Sequence, residues 1–500
     1  GWSSDGNSVW WAIGNTFNSR PLVSLSFEAD EADSGDALAQ TDHDASDRFI
    51  PEDEHPAVTT VDMDVVVPRS TPTGALLLEQ ANLITMSGES TDAMAEVRTS
   101  QDILIVDNRI HAIGDHGSLA VPDGATRLDL SDKFVAPGFI DTHAHWEFRT
   151  SDVLEPHNWS LVANVAYGVT TGLDVQTATN DYLAYRDFIE TGQSIGQRAF
   201  MTARGVFGDT DFQSYDEAHA YLRRYSEHYH TNNIKSYVVG NREQRQWVVQ
   251  ASQALGLMPT TEGAADQKMG ITHAIDGMHG HEHNLPDSPI FKDVVELFAK
   301  TRTAYTPTLV VQYNAPTLVD YFFTRIDVRD DDKLRRFYPS NRLDELTLRR
   351  SSWHRDSEFD FEQGAAQVAK IQRTGGLVGV GGHAELQGLG YHWEMWAYAM
   401  GGMTPVEVLR AATIDGARII GVDQDLGSIE VGKLADMVVL NANPLDNIRN
   451  TVDIDKVLIN GRLYNGDTMN QEWPDRVPLP DFWWWDQTDR RFVPDPIHAD

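Results

Sequence analysis

The rhythm of apolar and polar positions changes twice along the chain. Before residue 115 it gives short runs bounded by turn residues: Val61-Asp-Met-Asp-Val-Val-Val67, Gly74-Ala-Leu-Leu-Leu78, Leu83-Ile-Thr85, Asp102-Ile-Leu-Ile-Val106 and Arg109-Ile-His-Ala-Ile-Gly114. Such runs predict the strands of a β-sandwich. Between residues 136 and 420, apolar strand-like runs alternate with stretches of helical period, which predicts an α/β region with a parallel sheet. Eight runs stand out. The first is Val135-Ala-Pro-Gly-Phe-Ile-Asp-Thr-His-Ala-His145, and the next four begin at Thr170, Arg198, Ile234 and Leu257. Met278-His-Gly-His-Glu-His283, Tyr305-Thr-Pro-Thr-Leu-Val-Val311 and Leu377-Val-Gly-Val-Gly381 complete the set. Short apolar strands then return in Gly427–Leu440 and Val457–Gly461.

Helix starts between these runs carry a mechanism. Asn241-Arg-Glu-Gln244 has the form of a capping box, with Trp247, Val248, Ala251 and Leu255 on one face. Thr404-Pro-Val-Glu407 is a second, with proline at the first helical position.

Candidate chemistry gathers where these strands end. Side chains two apart on a strand share a face, so His143 and His145 bring two imidazoles together, as a site for a borderline-soft divalent cation does. A bare His-x-His occurs in ordinary loops as well. The full Pro-Gly-Phe-Ile-Asp-Thr-His-Ala-His string is more specific and resembles the first-strand motif of the amidohydrolase superfamily, especially its prolidase-like and imidazolonepropionase-like members. Gly427-Ser-Ile-Glu-Val-Gly-Lys-Leu-Ala-Asp436 is similar to a second signature of that family. The resemblance spans roughly residues 60 to 465. It implies a (β/α)8 TIM barrel over 136–420 and a small composite β-sandwich from the flanking segments 58–135 and 421–468.

At the N-terminus, Gly1-Trp-Ser-Ser-Asp-Gly and the apolar run after it resemble a blade of Tol-type β-propellers. Residues 1–27 are therefore expected to be the remnant of a β-propeller belonging to a longer polypeptide, since one blade cannot bury its faces alone. Residues 28–57 are acidic with little apolar content and read as a linker. Residues 469–500 form an aromatic C-terminal tail containing Trp483-Trp-Trp485, for which packing is the preferred role.

Charge narrows the partners. Against 75 acidic residues stand 40 basic ones, a formal charge of −35, and only nine of the basic residues are lysine. This disfavours nonspecific nucleic-acid binding. Aspartate-rich, lysine-poor composition also resembles proteins adapted to high salt, where screening tames self-repulsion. No run reaches the roughly 18–20 apolar residues of a membrane span, and without cysteine neither disulfides nor thiolate metal ligands exist. An extracytoplasmic location is expected from the resemblance and composition alone, and the sequence leaves open whether the chain forms a homo-oligomer.

In such barrels, functional groups sit at the C-terminal strand ends. Lys235 lies in an apolar, β-branched run, where desolvation favours a neutral amine able to take up carbon dioxide. An edge lysine would snorkel instead. The resemblance implies that Lys235 is the carboxylated, metal-bridging residue. On strand six His279, His281 and His283 have period two and in principle share a face; the family pattern selects Glu282-His283 and leaves the other two without a role. Where strand five of the family usually offers histidine, this chain has Glu262, a candidate metal ligand or a partner for one of the histidines. His273 lies too far on, in the next helix. Strand eight ends in Gly-Gly-His383-Ala-Glu385 where the family usually has Gly-Thr-Asp. His383, or else Glu385, is expected as general acid/base. His392 reads as structural or pocket-lining.

The implied cofactor is one or two divalent ions, zinc by preference, held by His143, His145, Lys235, Glu262 and His283. The implied reaction is cleavage of an amide C–N bond by metal-activated water, in a dipeptide or N-acyl amino acid. The same centre could cleave esters, lactones or phosphotriesters. An altered strand eight also fits a mononuclear site, or a non-catalytic barrel that serves the propeller as a scaffold.

Overall fold

A computed structural model describes residues 1–25, 57–88, 97–147, 154–177, 181–207, 210–263, 265–313, 315–348 and 353–485. The chain divides into two compact units: Gly1–Val67 with Gly208–Asn232 and Val239–Leu257, and Pro68–Phe207 with Asn233–Val238 and Met258–Asp500.

In the first unit Ser8–Ile13 and Thr16–Pro21 form an antiparallel hairpin, and Thr59–Asp62 adds a third strand along Thr16–Pro21. The turn before it is set by Asp5, whose carboxylate accepts from Ser3 Oγ and the Asn7 backbone N–H. This corrects the expectation for the Val61–Val67 run. Its start pairs with the hairpin rather than with the strands around 75–115, and Val65 and Val66 are 86% and 91% exposed. Alternation alone cannot choose between two sheets that each offer an edge. Helices Tyr215–Glu227 and Arg242–Leu255 complete the unit, the latter starting at the Asn241/Gln244 capping box. The acidic stretch expected as a linker falls, for residues 28–56, outside the described residues.

The second unit holds two architectures. One is a sheet built from both ends of the chain, in the order Gln471–Trp473, Arg462–Asn465, Ile454–Ile459, Met437–Leu440, Phe134–Pro137, Ala75–Leu83, Arg98–Val106 and Arg109–Asp115. Thr126–Asp129 pairs with Ala75–Leu83. The join is antiparallel, with Met437 opposite Pro137 and Leu440 opposite Phe134. Alternate residues of the early strands (Leu76, Leu78, Ile103, Ile105) meet Met437, Val439 and Leu458 of the late ones in one aliphatic core.

The other architecture is parallel. Phe139–Ala144, Val169–Asp174 and Arg198–Met201 form one sheet; Val206–Phe207, Asn233–Tyr237, Met258–Glu262, Gly280–Glu282 and Ala304–Thr306 form a second. Residues 377–380 connect them through parallel bridges from Val380 to Asp141 and from Val378 to Tyr305. The third strand position is split, its first part pairing with the second strand and its last part with the fourth. Several of these strands are buried throughout (Phe139–Ala144 and Val169–Asp174 in full), as sheets covered on both faces require. Helices follow the strands, and the Thr404/Glu407 capping box with Pro405 forms as the sequence indicates.

The aromatic tail packs on its own unit. Phe482 stacks on Trp484 at 4.2 Å, and the indoles of Trp484 and Trp485 donate to the Arg336 carbonyl. Residues 486–500 lie outside the described residues.

Candidate metal centre

The first parallel strand delivers His143 fully buried. Its Nδ1 lies 2.7 Å from Glu282 Oε2, and a proton held there leaves the Nε2 lone pair pointing into the site. His145 Nε2 stands within hydrogen-bonding distance of that Nε2, at 3.2 Å. Asp141 braces the turn: Oδ1 accepts from the His143 and Gly382 backbone N–H groups at 3.0 and 3.1 Å. Burial pushes its carboxyl up to about 7. His145 Nδ1 lies 3.6 Å from Asp174, which ends the second strand and accepts from the Trp146 and Gln176 N–H groups.

Opposite, the fourth, fifth and sixth strands bring Lys235, Glu262 and His283 together. Lys235 is 1% exposed, with Nζ 3.5 Å from Glu262 Oε1. Glu262 Oε2 is 2.7 Å from His283 Nε2, while His283 Nδ1 meets Thr308 Oγ1 at 2.5 Å. Burial alone would raise the Glu262 carboxyl, but Lys235 and His283 outweigh it and hold the group down at about 2. Glu262 is thus ionised and faces the Lys235 ammonium and the His283 ring. Tyr313 Oη stands 3.5 Å from it.

The expectation that His279, His281 and His283 share a face is overturned. His281 lies among Phe298, Tyr305 and His273, and His279 Nε2 bonds the Ile419 carbonyl. Glu282 points inward instead, toward His143 and Thr260. Alternation breaks at His283, whose φ of +67° turns the chain at the strand end and swings its ring into the cluster.

His383 joins from the eighth strand. Its ring stacks on His143 at 5.0 Å between centroids and lies 4.6 Å from His145 and 5.2 Å from His283. Burial is the main cause that pushes its imidazole down to about 4, so it is neutral near pH 7. Nδ1 stands 3.5 Å from Glu385 Oε1, and Glu385 remains partly exposed. The glycines before it are needed for close approach. A Cβ on Gly381 would sit 2.7 Å from both His143 Cβ and Thr308 Cγ2.

Strand ends elsewhere in this unit also turn through left-handed backbone without glycine. Ala203, Val238, Ala265, Thr308 and Ala384 have φ between +46° and +67°, as His283 and His383 do. For the β-branched Val238 and Thr308 this is strained, and strain of this kind clusters at functional sites.

The donors fit a divalent cation. Ligand atoms of His143, His283 and His383 all lie within 4.8 Å of one another. Burial lowers the pKa of each of the three imidazoles, leaving the neutral form that ligates. His145, Glu262 and Lys235 border the same group. Every residue named from the sequence for this centre therefore lies in or beside one cluster, with Glu385 at its edge. Asp141, Asp174, Glu282 and Thr308 were not singled out. A polar residue closing a buried strand was the available signal for Asp174, and Glu282 was legible only as part of Glu-His. His392 is a buried structural residue, bonded to Thr451 and the Tyr167 carbonyl.

Comparison with known proteins follows the same lines. Residues 384–464 match the amidohydrolase family. A 5'-deoxyadenosine deaminase of Methanosphaera stadtmanae is 22% identical over 77% of this chain and 95% of its own. An imidazolonepropionase of Alkaliphilus metalliredigens is 48% identical, over 12% of this chain and only 15% of the relative's length. Among solved structures, a Xaa-Pro dipeptidase with methionine bound in its active site superposes with a TM-score of 0.59 at 20% identity, covering 78% of this chain and all of the other. A molinate hydrolase gives 0.60 at 16% identity over 84% of this chain and 99% of the other. At such identities the likeness is one of fold, an α/β fold of barrel type. The likeness to the amidohydrolase family is thus direct over residues 384–464, and over the rest of the chain it is one of fold.

Proposed function

We propose that this chain is a metal-dependent hydrolase that cleaves an amide C–N bond, in a dipeptide or an N-acyl amino acid. One observation carries the reading: neutral imidazoles from the first, sixth and eighth strands converge with Lys235 and an ionised Glu262 at the ends where parallel strands place chemistry. In this reading the two parallel sheets close into a (β/α)8 barrel through the split third strand, and the composite sheet folds over as a small β-sandwich.

His143, His145, Lys235, Glu262 and His283 would hold one or two divalent ions, zinc by the nature of the donors; carboxylation of Lys235 on Nζ would turn the cation that faces Glu262 into an anionic ligand, and the metal would then supply the positive charge between them. Such an ion supplies Lewis acidity and a lowered pKa for water. The chain's own groups do the rest. Glu282 and Thr308 fix the rings of His143 and His283 from behind. The His383 ring, beside the ligand set but not part of it in this reading, takes a proton at the cluster and returns it to the leaving nitrogen, with Glu385 beside Nδ1 steadying the charged form. Hydrolytic deamination is the second reading, favoured by the deaminase that matches over 95% of its length.

The test is metal content per chain for the wild type and His143→Ala, followed by a screen of dipeptides, N-acyl amino acids and nucleosides. Roughly one to two equivalents, lost in the variant, together with amine release from peptides, supports the reading. Ammonia release from nucleosides selects deamination. A wild type that stays metal-free after zinc addition sinks both.

A further inference from the structure

A second cleft shares no residue with the strand-end cluster. It has a volume of about 390 Å³ and opens where the turn 192–196 of the parallel region meets Arg462–Asn465 of the composite sheet and the segment 475–480. Ile189, Ile195, Val477 and Leu479 line it with partly exposed hydrocarbon. Its size falls at the lower end of the range for small-molecule sites. One wall is held in place by backbone and side-chain bonds. The Ser70 N–H donates to the Glu190 carbonyl, and Asn460 Nδ2 donates to the Ser70 carbonyl, both at 2.8 Å. Gly192 allows this close approach, since a Cβ there would lie 2.8 Å from Ser70 Oγ.

Most polar groups of the cleft are engaged within the protein. Ser70 Oγ accepts from Arg462 Nη2 at 2.7 Å, Gln471 Nε2 donates to the Asp475 carbonyl at 2.9 Å, and His157 Nδ1 lies 3.1 Å from Ser194 Oγ. Two charges on the lining are not. The half-buried Arg462 guanidinium has that single hydrogen bond and no ion pair among the described residues, so Nε and Nη1 stay open. The Asp475 carboxylate, exposed in the turn after Trp473, has neither a hydrogen bond nor an ion pair among the described residues. In a chain with 75 acidic residues against 40 basic ones, an arginine without a carboxylate is a charge that the fold has left open. Opposite charges that line one cleft without pairing, beside exposed hydrocarbon, complement a ligand that carries both signs and an apolar group.

We propose that this cleft is a binding site for a zwitterionic α-amino acid with an apolar side chain, separate from the strand-end cluster. Arg462 takes the carboxylate through the open part of its fork. Asp475 takes the ammonium, and the side chain lies on Ile189, Ile195, Val477 and Leu479. The site needs nothing from the metal centre.

The experiment is calorimetric titration of the full chain with L-leucine and three relatives, at ionic strength matched with potassium chloride. The relatives are 4-methylpentanoate, which lacks the ammonium, 3-methylbutylamine, which lacks the carboxylate, and glycine, which lacks the hydrocarbon. Leucine binds more tightly than each of them by about fivefold or more. Arg462→Gln removes the advantage of leucine over 3-methylbutylamine and leaves the amine's affinity unchanged; Arg462→Lys weakens leucine less. Asp475→Asn removes the advantage over 4-methylpentanoate and leaves the carboxylate's affinity unchanged. Asp475 sits on an exposed turn with no side-chain bond to lose, so this variant does not threaten folding. Binding must persist after chelator treatment and in His143→Ala, which separates its fate from that of the hydrolase reading. No saturable leucine binding, equal binding of a one-charge relative, no change in either variant, or loss in His143→Ala overturns the proposal.

Discussion

Two buried regions of the same unit are held together in opposite ways. In the composite sheet, Leu76, Leu78, Ile103, Ile105, Met437, Val439 and Leu458 meet as hydrocarbon, all at 0% exposure. Each such side chain contributes roughly 1.5–3 kcal/mol through burial, without regard to direction. At the strand ends the buried His143, Lys235, Glu262, Glu282 and His283 are satisfied by one another and by the hydroxyls of Thr260, Thr308 and Tyr313. There every group has an address, and removing one strands its neighbour in a medium that penalises unpaired polarity. The sheet tolerates approximate substitution and sets stability. The cluster should tolerate almost none and, in the proposed reading, sets chemistry.

The sharpest separation comes from His143→Ala. Hydrolysis should fall by at least about a thousandfold, near 4 kcal/mol of transition-state stabilisation, a larger loss than the stability lost by leaving Glu282 without its partner. A variant that unfolds instead would show the cluster to be structural. Leu78→Ala should do the reverse, lowering stability by about 3 kcal/mol in denaturant titration and leaving turnover per folded molecule unchanged. Loss of turnover without loss of stability there would break the contrast. Thr308→Val keeps a β-branched residue at a left-handed position and deletes only the partner of His283 Nδ1. Chelator competition should find metal held about 10–100-fold more weakly. The smallest effect belongs to Thr404→Ala, which removes a cap far along the chain from either region. About 1 kcal/mol of stability should go, with activity per folded molecule intact.

Legibility in the sequence followed the range of the forces involved. Local signals were sound: both capping boxes form, and the rise and fall of apolar runs located all eight parallel strand positions. His143 and His145 could be read because their strand keeps its period to the end. The expected common face of His279, His281 and His283 fails because the left-handed His283 resets the alternation, and nothing in a non-glycine sequence announces that. The Val61 run failed for a different reason, since its partner strand is chosen by an edge formed 40 residues earlier. Glu282 and Asp174 escaped notice because their importance lies in what they orient, which only three dimensions disclose.

The left-handed corners at His283, Thr308 and His383 also bear on how the protein could be improved by hand. Glycine would relax each corner, since it alone adopts such dihedrals without a Cβ penalty. A designer scoring backbone comfort would therefore choose glycine there and obtain a chain whose corners are at ease but wander. The discomfort is what keeps each ring or hydroxyl from sampling other directions, so consensus-style repair of these positions would trade the aim of the site for heat tolerance.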